Sequence, residues 1–153
     1  MAVTFAVAAL LVSACCTIHL LVLRQLGRLV DRPEILRRPL LVIIFILFLL
    51  HLLEVTLYAL ALSALDEAGY GRLSGAVVGG AGWFEDHFHF SIASYTTLGI
   101  GDIVAVGPIR LLAGIEALNG LLLIAWSASF TYIAMERLWT REEGGAGPSR
   151  PGS

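Results

Sequence analysis

Residues 96–102 read Thr96-Thr97-Leu98-Gly99-Ile100-Gly101-Asp102. Two glycines alternate with two aliphatic residues, behind a pair of threonines and ahead of an aspartate. Glycine takes up positive φ without the steric cost that a Cβ imposes. Gly99 and Gly101 can therefore let a short extended segment alternate its twist and turn successive carbonyl oxygens to one side. A tight turn also uses glycines in this way, so the flanks must decide between the two readings. On the N-terminal side, Trp83, Phe84, Phe88, Phe90 and Tyr95 surround Glu85 and Asp86 within residues 83–96. That stretch is too short to cross a bilayer and too aromatic for a loop. It suits a half-length helix whose first-turn carboxylates complement the positive end of its dipole. On the C-terminal side, after a short link at 103–107, an apolar run extends from Pro108 to about residue 137 and is long enough to span. This setting favours the carbonyl-lined strand over the plain turn.

The stretch resembles the selectivity filter of the potassium-channel superfamily, Thr-x-Gly-Tyr-Gly-Asp, and the resemblance covers about residues 39–137. It implies an all-α membrane protein with three transmembrane helices, a re-entrant pore helix and a filter loop. The assembly is tetrameric around a central pore, because one chain supplies one filter strand and a dehydrated ion needs oxygens all round. By the same resemblance the filter is Thr97-Leu98-Gly99-Ile100-Gly101. K+ is held by the carbonyls of Thr97, Leu98, Gly99 and Ile100 and by the Thr97 hydroxyl. Thr96, Asp102, His89 and Phe90 support the filter, the last two at the aromatic-cuff positions. Ala93 replaces an acidic residue that some members place behind the filter. Gly120 stands where many members carry a hinge in the inner helix, with local packing as the alternative reading. Leu121, Ile124, Ala128 and Tyr132 are implied to line the cavity and inner gate. Ile100 departs from the pattern, since the family has Tyr or Phe there. Its carbonyl survives but an aromatic brace is lost, which leaves a weakly selective cation channel as the nearest rival. A non-conducting accessory membrane subunit is the rival from another class.

Composition agrees with a chain built in lipid. Hydrophobic residues make up 58% against 14% charged, with mean hydropathy +0.84. Residues 3–23 form an uncharged first span, without the basic start and small-residue cleavage site of a signal peptide. Residues 39–62 form a second. All ten basic residues are arginine, and eight of them (Arg24, Arg28, Arg32, Arg37, Arg38, Arg137, Arg141, Arg150) fall on one side of this map, against Arg72 and Arg110 on the other. The positive-inside rule then places the first connection and the C-terminus in the cytoplasm and the N-terminus outside. The expected location is the cell inner (plasma) membrane. Three units follow: 1–38, a first span with a basic connection; 39–137, the pore domain; 138–153, a disordered Gly-, Pro- and Ser-rich tail. No span carries an arginine repeat, so nothing supports a voltage sensor.

Several polar residues sit inside the spans. His51, Glu54 and Tyr58 share one face of the second span, and a carboxylate at that depth must face protein. A Glu54–His51 or interhelical hydrogen bond and a proton-sensing role are both open. Glu116 and Asn119, one turn apart, are expected behind or below the filter. His87 and His89 lie two apart and point to different sides of a helix, against a shared metal. Cys15 and Cys16 are read as packed or lipid-facing thiols. Asp66, Glu67, Glu85, Asp86 and Asp102 make the outer side net acidic, which concentrates cations. No Ser-His-Asp, Cys-His or metal-ligand set shares a face, so the chain is not read as an enzyme. No cofactor is implied, and the expected partners are K+, membrane lipids and three further copies of the chain, not nucleic acid.

Overall fold

The computed structural model describes residues 1–31, 38–75 and 82–145. The heart of the basic connection (32–37), part of the turret (76–81) and the tail beyond residue 145 lie outside the described residues. In chain order the elements are α1 (Ala2–Val30), α2 (Pro39–Glu67), β1 (Arg72–Gly75), α3 (Trp83–Tyr95), β2 (Ile103–Val106) and α4 (Ile109–Gly145). Three segments, Ala2–Val30, Pro39–Glu67 and Ile109–Thr140, are long and apolar enough to cross a bilayer, with mean hydropathies of 2.4, 2.8 and 1.6. The chain is an all-α multi-pass membrane protein.

α1 and α2 each run for 29 residues, about 43 Å at 1.5 Å per residue, against a hydrocarbon core of about 30 Å. The surplus explains a difference from the expected boundaries. α1 continues past Arg24 and Arg28 to Val30, so those arginines occupy its last turns rather than a separate connection. α2 opens with Pro39 in its first turn, where the missing N–H is not needed. Pro108 immediately precedes α4, which continues beyond residue 137 to Gly145, through the first part of the stretch expected to be disordered.

Met1 lies beside Gly107, Pro108, Arg110 and Leu111. At the opposite end Arg137 Nη1 is 3.6 Å from Asp31 Oδ1. α1 and α4 therefore run parallel, with α2 antiparallel to both. α3, at 13 residues, begins beside the end of α2, where His87 Nε2 is 3.1 Å from Asp66 Oδ2. It ends at the middle of the bundle, where Tyr95 meets Glu54 of α2 and Gly120 of α4.

The segments read as turret and outer link contain a feature that the sequence reading did not anticipate. β1 and β2 pair antiparallel, with Arg72 opposite Val106 and Gly75 opposite Ile103. Ile103-Val104-Ala105-Val106 suits a strand, but four residues are too few for periodicity to reveal one. The sheet ties the chain before α3 to the chain after residues 96–102. Asp66 anchors it by accepting the Leu73 backbone N–H at 3.3 Å.

Two apolar clusters fill the bundle. One gathers Cys15, Val55, Tyr58, Leu62, Tyr95, Ile109, Leu112 and Leu123 toward the sheet end. The other gathers Leu26, Val30, Ile43, Leu47, Leu50 and Ala134 toward the opposite end. In lipid such contacts have no hydrophobic driving force, and helix association relies on close packing and interhelical hydrogen bonds. What lies between the clusters therefore matters.

Candidate functional site

The stretch 96–102 leaves α3 at Thr96, whose N–H still donates to Ile92 O at 3.0 Å. Thr97, Gly99 and Gly101 have φ of 58°, 57° and 85°, while Leu98 and Ile100 keep negative φ. The twist thus alternates residue by residue, starting at Thr97, one position before the first glycine. A non-glycine residue in the left-handed region costs on the order of 1–3 kcal/mol, so the surrounding structure must hold it there. Thr97 N donates to Ser94 O at 3.0 Å and Gly99 N to Ala93 O at 3.1 Å, which moors the strand to the end of α3. At the far end Asp102 Oδ1 accepts the Ile103 N–H at 2.9 Å. Its other oxygen lies 3.2 Å from His89 Nε2, a close approach without aligned hydrogen-bond geometry. Phe90, Ala93 and Ser94 face Gly99, Ile100, Gly101 and Asp102 across an open cleft.

The sequence reading places the Ile100 side chain in packing behind the strand. Within one chain that packing is incomplete: Ile100 is 53% exposed and Leu98 66%. Leu121, Ile124, Ala128 and Tyr132 are all exposed along one face of α4, while Leu112, Glu116, Asn119, Leu123, Ser127, Ala134 and Leu138 are buried on the other. Gly120 lies where α4 crosses the end of α3. A Cβ there would sit 2.1 Å from the Tyr95 carbonyl oxygen, and α4 runs unbroken through it. Close packing by itself accounts for this glycine.

Behind α3 lies a polar layer that the sequence showed only in part. Glu54 and His51 do meet, at 3.2 Å, but Glu54 is also 2.9 Å from His19 Nδ1 of α1 and accepts from Tyr95 Oη at 2.5 Å. His51 Nδ1 is 2.9 Å from the same phenol oxygen. The far nitrogens of both imidazoles converge on Ser127 of α4, His51 Nε2 at 2.9 Å and His19 Nε2 at 3.2 Å from Oγ. Glu54, His19, Ser127 and His51 thus form a closed ring of side chains. Tyr95 joins it immediately before the stretch 96–102. Glu54 and His19 are fully buried.

Tyr58, on the same face of α2 as Glu54, does not enter this ring. Its hydroxyl accepts from Asn119 Nδ2 at 3.1 Å, and Asn119 Oδ1 accepts from Cys16 at 3.5 Å. Glu116 is hydrogen-bonded to Ser91, whose hydroxyl oxygen also lies 3.0 Å from Val55 O. Glu116 and Asn119 therefore meet the back of α3 and the α1–α2 side, and neither reaches residues 96–102 in these contacts. His87 and His89 go to different partners, Asp66 and Asp102. The residues missed from sequence are His19, Ser91 and Ser127. His19 carried a signal, as the one histidine in an uncharged span, and the reasoning applied to Glu54 applies to it equally.

A short helix thus stops halfway between two spanning helices and is followed by a strand of alternating twist. A family model described as "Ion channel" matches residues 40–137, and the chain belongs to this ion channel family. Comparisons with curated proteins and with solved structures give no match. Membership makes the chain an ion channel subunit, whose task is the passage of ions.

Proposed function

We propose that the protein is one subunit of a homotetrameric potassium channel of the plasma membrane, conducting K+ passively through Thr97-Leu98-Gly99-Ile100-Gly101. The observation that carries the reading is the alternation of φ at Thr97, Gly99 and Gly101. Alternating twist turns successive carbonyls to one side, and four such strands around an axis supply rings of oxygens in place of the hydration shell. The Thr97 hydroxyl adds a ring at the inner end. α3 acts as a re-entrant pore helix, with the negative end of its dipole toward the centre of the assembly, where a cation is stabilised. Thr96, His89, Phe90 and Asp102 brace the filter, while Leu121, Ile124, Ala128 and Tyr132 line the path below it. The excess of arginines on the connection side sets the N-terminus and filter mouth outside.

One observation favours a second reading, weak discrimination between K+ and Na+. Ile100 brings no hydroxyl or ring to fix the filter diameter and is half-exposed in its own chain. The bi-ionic reversal potential of the purified protein in planar bilayers, K+ against Na+, separates the two. A reversal close to the K+ equilibrium supports the selective filter. A reversal near zero with clear current makes this a non-selective cation channel, and absence of any cation current from intact tetramers overturns both.

A further inference from the structure

We infer that His19, His51 and Glu54 form an intramembrane binding site for a divalent transition-metal cation of the zinc class, with Tyr95 as the adjacent fourth donor. The argument starts from the protons of the ring. One nitrogen of each histidine and one Glu54 oxygen lie within 4.8 Å of one another, and both Nδ1 atoms face the same carboxylate. Both Nε2 atoms face the single Ser127 hydroxyl. That hydroxyl carries one hydrogen, so at least one imidazole must donate to it from Nε2. In its neutral form this imidazole then has a bare Nδ1 lone pair: that of His51 can accept from the Tyr95 hydroxyl at 2.9 Å, whereas that of His19 faces the Glu54 carboxylate. A cation between the two Nδ1 atoms and Glu54 would use both lone pairs.

A metal ion meets the requirement for both rings at once. Ser127 Oγ can accept both Nε2–H groups, which fixes both rings in the tautomer with Nδ1 free to ligate. A hydrogen bond to the outer nitrogen is the usual support of a metal-bound histidine. Two imidazole nitrogens, a carboxylate and a phenol oxygen make a four-donor set of borderline hardness, suited to Zn2+ and poorly suited to K+. In a tetrahedral site with bonds of about 2.0–2.1 Å, neighbouring donors stand about 3.3 Å apart. Glu54 Oε2 stands 2.5 Å from Tyr95 Oη and 3.2 Å from His51 Nδ1, Glu54 Oε1 stands 2.9 Å from His19 Nδ1, and Tyr95 Oη stands 2.9 Å from His51 Nδ1, so closing around an ion asks these contacts to spread by about 0.1–0.8 Å. His51 keeps 21% of its side chain exposed within the single chain. Because its donors come from α1, α2 and α3, an occupied site would clamp the first span to the helix that carries the filter strand.

The site is tested by binding alone, independently of whether the channel passes K+. Purified, chelator-stripped protein is titrated with Co2+, followed by its visible d–d absorption, and then with Zn2+ in competition. The expected result is one Co2+ per chain, displaced by Zn2+. Binding should release protons and weaken as pH falls, because the ligands must be deprotonated. His19→Gln should weaken binding by about 100-fold or more and Ser127→Ala by about 10-fold. His87→Gln, which alters the separate pair with Asp66, should leave it unchanged. Absence of saturable Co2+ and Zn2+ binding to the unmutated protein overturns the site and leaves a proton as the ring's only cation. Binding that survives His19→Gln overturns it as well, and the first of these outcomes needs no variant to fold.

Discussion

At the scale of single residues, two buried carboxylates in similar apolar surroundings have opposite standing. Glu54 is met by His19, His51 and Tyr95, whereas Glu116 bonds Ser91 through one oxygen and leaves the other, among the described residues, without a partner. Removing the charge from a buried, paired carboxylate costs about 3–5 kcal/mol. Glu54→Gln should therefore lower the thermal midpoint in detergent sharply. Glu116→Gln should cost under about 1 kcal/mol, because the single bond from Ser91 can be kept by the amide oxygen. Equal losses from the two variants would show that the contacts around Glu54 carry no special weight. Gly99 is a different kind of residue. A Cβ on it would meet nothing within 4 Å in its own chain, but its φ is 57°, so the demand is conformational rather than spatial. Gly99→Ala should abolish K+ flux into proteoliposomes while the assembly elutes unchanged from a sizing column. Normal currents from that variant would refute the filter assignment.

At the scale of elements, the junction of α3 with α4 is set by Gly120. An exposed glycine in a helix interior gains about 1 kcal/mol on replacement by alanine. Here the new methyl would meet the Tyr95 backbone oxygen at 2.1 Å, and overpacking of this kind costs about 1–3 kcal/mol. The sign decides between the roles: Gly120→Ala should destabilise the protein in thermal melts and disturb conduction, since Tyr95 directly precedes Thr96 and Thr97. A stabilised, conducting variant would show that α3 and α4 are not in close contact there. The pairing of β1 with β2 is the second element-scale device. Asp66 holds both Leu73 of β1 and His87 of α3, so Asp66→Ala should loosen the sheet and speed hydrogen exchange at residues 72–75 and 103–106, with α2 left protected.

At the scale of the whole molecule, one chain is an incomplete object. Leu41, Ile44, Phe45 and Phe48 of α2 and Leu118, Leu121 and Tyr132 of α4 are all exposed. Lipid can cover an apolar face, but the exposed strand at residues 96–102 has carbonyls that need polar partners, since lipid satisfies no backbone group. Native mass spectrometry from detergent should accordingly show an assembly of four times the 16.4 kDa chain mass. A predominant monomer or dimer that still conducts would overturn the fourfold arrangement.

The sequence by itself determined the three spans, the half-length helix and the stretch of alternating twist, because each is written in local terms. Hydropathy accumulates over consecutive residues, a helix too short to span is a matter of length, and glycine's tolerance of positive φ belongs to the residue. Even here the local record was incomplete, since positive φ begins at Thr97, a non-glycine residue whose conformation is imposed by its mooring to the end of α3. What only the tertiary structure decided is the ring of Glu54, His19, Ser127 and His51, the closure of the two short strands and the close approach at Gly120. His19 lies 35 residues from Glu54 and 108 from Ser127 along the chain. Helical periodicity shows which residues share a face of their own helix. It does not show how that helix is rotated or slid against its neighbours, and those two variables are settled only when all the helices pack together.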